Sequence, residues 1–158
     1  MDPIRYSPSA DDSIGRPGPL ILVADDDEDI LELVRLRLSR SGYWTILARD
    51  GFEALVAARA RRPDLAVLDV TMPGLDGYAV VAEMRADPRT KDIPVILLTA
   101  RAQTTDVARG FEAGADDYVT KPFSPQELQS RVAAVLERAA AVDSTPLALP
   151  AIRPAVAG

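Results

Sequence analysis

Short apolar runs and amphipathic stretches alternate along most of this chain. Leu20–Ala24 is a continuous apolar run of strand length, and Glu28–Ser41 follows with Ile30, Leu31, Val34 and Leu38 spaced onto one helical face. Gly42 stops that helix. The unit then recurs. Trp44–Leu47 reads as a strand and Phe52–Arg61 as a helix, Leu65–Asp69 as a strand and Tyr78–Ala86 as a helix. Pro94–Leu98 is a fourth, wholly apolar strand, followed by a helix over Thr104–Ala113 that Gly114 closes. Tyr118–Thr120 is the fifth strand and Pro125–Ala140 the last helix, with proline in its first turn. Strands that are apolar throughout, with no alternation, belong in a sheet covered by helices on both faces. Five β-α units joined by right-handed crossovers predict an α/β fold, a doubly wound five-stranded parallel sheet in a single domain.

Prolines gather outside this pattern, at Pro3, Pro8, Pro17 and Pro19 and again at Pro146, Pro150 and Pro154. Residues 1–19 are expected to be a flexible N-terminal tail, 20–140 the folded domain, and 141–158 a flexible Pro/Ala-rich tail or linker. The N-terminus lacks the apolar core of a secretory signal, and no apolar run approaches the ~20 residues of a membrane span. The expectation is a soluble, cytoplasmic chain with no membrane contact.

Composition narrows the chemistry. With 47% hydrophobic residues the chain can build a sizeable core, and with a net charge of −6 it is expected to make no nucleic-acid contact of its own. It has no cysteine and no histidine. That removes disulfides, thiolate metal sites, the commonest general base and any Ser–His nucleophile. A metal held here must be held by oxygen, which points to Mg²⁺, Ca²⁺ or Mn²⁺.

In an open parallel sheet, ligands bind beyond the carboxyl ends of the strands. The first strand is followed by Asp25-Asp26-Asp27, the third ends on Asp69, the fourth is followed by Thr99 and the fifth by Lys121. The second leads only into Ala48 and Arg49. Clustered carboxylates repel, so either a pKa rises or a cation binds. Mg²⁺ is the natural choice, since it takes one or two carboxylates and keeps positions open for phosphate oxygens. Lys121 can neutralise such a phosphate and Thr99 can donate a hydrogen bond to it. An Asp nucleophile, a metal and a cation suit the in-line formation of an aspartyl phosphate.

Four segments, "ILVADDDEDI", "LAVLDVTMPGLDG", "PVILLTA" and "GADDYVTKPF", resemble in order the receiver domain of bacterial two-component response regulators, over about 20–140. The resemblance implies a flavodoxin-like strand order of 2-1-3-4-5. It makes Asp69 both the phosphoacceptor and a Mg²⁺ ligand, with Asp26 a direct ligand, Asp25 assisting through water and the Thr71 carbonyl a further ligand. Thr99 and Lys121 would bind phosphoryl oxygens, Lys121–Pro122 would be a cis peptide, and Thr99 and Tyr118 would form the switch. The partners implied are a sensor histidine kinase or histidine phosphotransfer protein, and a downstream protein or a second copy meeting the region 103–140. In the DNA-binding branch that region forms a dimer face. Asp117, Glu127 and Arg131 resemble its charged set, but Val107 stands where that branch places a basic partner. The chain is expected not to be an enzyme, apart from catalysing its own phosphorylation and dephosphorylation.

Plainer readings exist for each residue. Asp25–Asp27 suit the first turn of a helix. They also begin a D-x-D-x-D calcium spacing, but Ile30 and Leu36 occupy the positions that need Gly and Glu. Asp69 and Thr99 are possible caps, Lys121 a possible surface cation, and Tyr118 possible core packing. Asp116 and Asp117 read as turn or salt-bridge residues, and Glu127 with Arg131 as a solvated i,i+4 pair. Two other functions compete. A phosphohydrolase of the haloacid-dehalogenase type needs a second Asp two residues after its nucleophile, where this chain has Thr71. A degenerate receiver, acting as a phosphate-independent interaction module, sits poorly with a complete Asp/Thr/Lys set.

Overall fold

The computed structural model describes residues 18–100 and 104–148. The expected tails, up to residue 17 and from 149 onward, lie outside the described residues. The elements alternate as β1 (Leu20–Ala24), α1 (Glu28–Arg40), β2 (Trp44–Ala48), α2 (Gly51–Arg61), β3 (Leu65–Asp69), α3 (Gly77–Ala86), β4 (Val95–Thr99), α4 (Thr104–Ala113), β5 (Asp117–Thr120) and α5 (Pro125–Ala148). The sheet is parallel throughout, in the order β2-β1-β3-β4-β5. That is the doubly wound arrangement implied by the resemblance.

Successive strand residues face opposite sides, and the core divides accordingly. Leu20, Leu22, Ala66, Leu68 and Leu97 pack with Ala54, Leu55 and Ala58 of α2 and Val80, Val81 and Met84 of α3. Ile21, Val23, Val67, Ile96 and Leu98 pack with Leu31, Val34 and Leu38 of α1 and Leu128, Val132 and Val135 of α5. Every residue of β1, β3 and β4 is buried, which is why those strands carry no polar alternation.

Three helices start on an aspartate whose carboxylate accepts the amide two or three residues on: Asp27 for α1, Asp50 for α2 and Asp76 for α3. Gly114 closes α4 at φ +113, where Arg85 covers it, donating two hydrogen bonds to the Gly114 carbonyl. One difference from the sequence reading concerns α5. Its backbone stays helical to Ala148, eight residues past the expected end, so 141–148 is helix where a tail was expected. The prolines suggested an earlier stop, but the run Ala139-Ala140-Ala141 has the highest intrinsic helix propensity and carries the helix on. Among the described residues no helix is long and apolar enough to cross a membrane.

Candidate functional site

The parallel sheet brings the carboxyl ends of β1, β3, β4 and β5 to one edge, and the residues that follow them meet there. Asp25 is wholly buried just beyond β1, with its own N–H donating to the Ala48 carbonyl at 3.1 Å. Its Oδ1 accepts the Asp27 amide at 2.9 Å. Asp26, beside it, is exposed. Asp27 faces away and caps α1, so the run of acids divides into two site residues and one helix cap. Asp69 ends β3 and is only 4% exposed. Carboxylate oxygens of Asp25, Asp26 and Asp69 lie within 4.8 Å of one another.

Lys121 enters from the end of β5. Its N–H donates to the Thr99 carbonyl at 2.7 Å, and its peptide bond to Pro122 is cis, as the resemblance implied. The ammonium lies 3.0 Å from Asp25 Oδ2 and 3.2 Å from Asp69 Oδ1. It thus stands between two buried acids as their shared counter-ion. Asp25 Oδ2 nevertheless receives no hydrogen bond of proper geometry, so this buried oxygen is ion-paired but not saturated. Thr99 is buried at the end of β4, and Thr71 is exposed in the loop after β3 with its amide donating to the Asp69 carboxylate.

Burial pushes the Asp69 carboxyl up to about 6, and the neighbouring Asp25 charge adds to it; Lys121 and the Thr71 amide oppose the shift. Burial works to lower the Lys121 pKa, but Asp25 and then Asp69 outweigh it and the net shift is upward. The Asp69 shift has a consequence for stability. Its folded-state pKa lies above its ordinary 3.8, so the metal-free folded protein holds this proton more tightly than the unfolded chain does. Stability should therefore fall as pH rises from about 4 through about 6, by at most about 3 kcal/mol from this group. Asp69→Asn should remove that fall and unfold at a higher denaturant concentration than wild type at pH 7.5 in EDTA. An Asp69→Asn protein no more stable than wild type there would contradict this electrostatic picture.

The donor set fits a hard cation. It offers oxygen ligands only, one of them buried and unsaturated, in a cluster whose like charges already cost free energy.

Thr99 and Tyr118, expected to form a switch, also come together. Tyr118 pairs in register with Leu97, and its ring meets Phe111 of α4 edge-to-face at 5.9 Å and 82°. Thr99 and Tyr118 line the same small cavity, with Val107, Gly110 and Phe111 on its α4 side. Its interior, about 10 Å³, admits one water at most. On the outer face Arg131 pairs with Asp117 at 3.2 Å, where the sequence pattern had suggested Glu127. Asp116 accepts the Val95 amide at 2.8 Å and pairs with Arg85, the supporting role expected of it. Arg49, beyond β2, pairs with Glu28 at the rim.

Residues 21–133 match the response regulator receiver domain. The chain belongs to that family. It is 49% identical over 118 residues to the alkaline phosphatase synthesis transcriptional regulatory protein PhoP of Bacillus subtilis, covering 75% of this chain and 48% of PhoP. It is 46% identical over 120 residues to the DNA-binding dual master transcriptional regulator RpaA of Synechocystis, covering 76% of this chain and 50% of RpaA. The receiver thus spans about half the length of these relatives. Among solved structures, a putative response regulator from Chloroflexus aurantiacus superposes with a TM-score of 0.72 at 41% identity, over 75% of this chain and 98% of that one. The receiver domain of the sensor histidine kinase PA1611 from Pseudomonas aeruginosa, which has a magnesium ion coordinated in its active site cleft, gives 0.71 at 33% identity, over 76% and 98%.

These relatives overturn one expectation, that of no nucleic-acid contact. They are transcriptional regulators, and RpaA is DNA-binding by name. A net charge of −6 is an average over the residues counted and does not report how proteins twice the length of the matched region meet DNA.

Proposed function

We propose that this receiver takes a phosphoryl group from a histidine kinase onto Asp69, with Mg²⁺ held by Asp25, Asp26, Asp69 and the Thr71 carbonyl, and that the phosphorylated state presents an altered α4-β5-α5 face. One observation carries the reading. A buried carboxylate ends a central strand, 3.2 Å from a lysine and within a three-acid cluster. Bound Mg²⁺ would neutralise the acids and shield the charge of an incoming phosphoryl group. Asp69 would act as the nucleophile, and ionisation prepares it for that role. Lys121 would turn from the carboxylates to a phosphoryl oxygen, and Thr99 would donate its hydroxyl to another. The relatives' names support a transcriptional output. The phosphohydrolase alternative is disfavoured because Thr71, in place of a second Asp, is no general acid for turnover on phosphate esters.

The test is a Mg²⁺ titration followed by amide chemical shifts. Trp44 fluorescence is a poor probe, since Trp44 pairs with Leu20 at the opposite end of the strands. Shifts at Asp25, Asp26 and Asp69 are expected by millimolar Mg²⁺, and their absence would refute the metal reading and favour a degenerate, phosphate-independent receiver.

A further inference from the structure

The loop between β3 and α3, residues 70–76, joins Asp69 to α3 and contains Thr71. Its base is closed, with the Gly77 amide donating to the Val70 carbonyl at 2.9 Å. Gly77 packs so closely there that a Cβ would lie 2.5 Å from the Asp69 carbonyl oxygen. Met72 is buried in the core, and Asp76 caps α3. Leu75 packs against the core, but the crown of the loop before it has no such anchor among the contacts described. Pro73 and Gly74 are exposed, and Gly74 adopts φ +78, which a side chain would strain.

What meets the crown is the start of α2. A Cβ on Gly51 would lie 2.2 Å from the Leu75 carbonyl oxygen, so the backbones of α2 and the loop touch there. The next residue, Phe52, places its ring over Gly74, with Cε2 3.2 Å from where a Cβ would stand. Phe52 is also 62% exposed. A ring so open to water contributes little to the core, and its packed side rests on the loop that follows the phosphoacceptor. We propose that Phe52 is a positioning residue for that loop, holding Gly74 so that the main chain at Thr71 stays set for Mg²⁺ beside Asp69. This rests on the metal reading above. It adds that a residue from the β2-α2 unit, which supplies no ligand, governs the geometry of the site.

The test compares Phe52→Ala, Phe52→Leu and Val56→Ala with wild type. Val56 is equally exposed one turn further along α2 and serves as the control. Two quantities are measured: the Mg²⁺ dissociation constant from amide shifts, and hydrogen exchange in EDTA at the Thr71 and Gly77 amides, which donate to the Asp69 carboxylate and the Val70 carbonyl. Phe52→Ala is expected to weaken Mg²⁺ about fivefold, less than the roughly tenfold at which loss of a direct hydrogen-bond partner to a ligand begins. It should also speed exchange at both amides. Phe52→Leu should recover most of both effects, and Val56→Ala should match wild type. If Phe52→Ala leaves either quantity within twofold of wild type, or Val56→Ala reproduces its effects, the positioning role is wrong. If wild type itself takes up no Mg²⁺, the metal reading fails and the exchange data alone decide whether Phe52 braces the loop.

Discussion

Lys121→Ala is expected to slow phosphorylation by acetyl phosphate about 100-fold or more, the scale of losing one fixed donor to a developing anion, while Mg²⁺ binding is maintained or strengthened. The asymmetry follows from the geometry. Lys121 sits 3.0 Å from Asp25 and 3.2 Å from Asp69, so in the metal-free protein it offsets the charge that a cation would otherwise offset. Removing it leaves two buried carboxylates with each other. The Asp69 carboxyl, already raised to about 6, should rise further, and the metal-free protein should lose stability at neutral pH. The loss should stay below the 3–5 kcal/mol typical of breaking a buried pair, since Asp69 can protonate. Mg²⁺ should restore it. A variant that loses Mg²⁺ affinity and phosphorylation in equal proportion would show that Lys121 serves the metal site and not the phosphoryl group. The measurements are a Mg²⁺ titration by amide shifts and phosphorylation rates by intact mass at saturating Mg²⁺.

Thr99→Ala is expected to do the opposite. It should accept a phosphoryl group on Asp69 yet fail to transmit it. Thr99 and Tyr118 line one cavity beneath α4, and Tyr118 at rest packs edge-to-face on Phe111. A phosphoryl oxygen offers the Thr99 hydroxyl a charge-assisted hydrogen bond. Drawing Thr99 toward the site frees space on its far side, into which Tyr118 can turn, exchanging its Phe111 contact for the cavity. A ligand shifts such an equilibrium only by its differential affinity for the two states. One charged hydrogen bond contributes about 1.5–3 kcal/mol, enough to move the balance about tenfold or more. With beryllofluoride as phosphoryl mimic, wild-type amide shifts should extend through α4, β5 and the adjoining face of α5, and in Thr99→Ala they should stop at the cleft. Equal propagation in Thr99→Ala, or confinement to the cleft in wild type, would exclude this coupling route.

The convergence of these residues is legible in the amino-acid pattern because the rule behind it is topological. In a parallel sheet the carboxyl ends of the strands share an edge, so Asp25, Asp26, Asp69, Thr99 and Lys121 must approach one another once the strands are identified. Strand identity is plain for β1, β3 and β4, whose continuous apolar runs follow from burial on both faces. What stays hidden depends on distances of a few ångström. Nothing in the pattern distinguishes Asp27, which turns away to cap α1, from Asp25, which turns inward. The double engagement of Lys121 depends on where one flexible side chain ends. Arg131 pairs with Asp117 across the α5-β5 boundary in preference to Glu127 on its own helix, a competition that spacing cannot decide. Gly51 and Gly77 each open a helix directly after an aspartate cap. That repeated Asp-Gly pair is the available signal for close packing around the β3-α3 loop. The nucleic-acid expectation fails for a different reason, since a summed charge was asked to describe proteins of about twice the matched length.

The most direct test of Asp69 as phosphoacceptor is site mapping after incubation with acetyl phosphate. Wild type and Asp69→Asn are treated with and without Mg²⁺, reduced with borohydride to trap any acyl phosphate, and digested for peptide mass analysis. The expected result is one Mg²⁺-dependent modification, on Asp69 of wild type, and none in Asp69→Asn, because an amide is not a competent nucleophile. Undiminished modification of Asp69→Asn, or a modification of wild type that maps to another residue, would contradict the assignment.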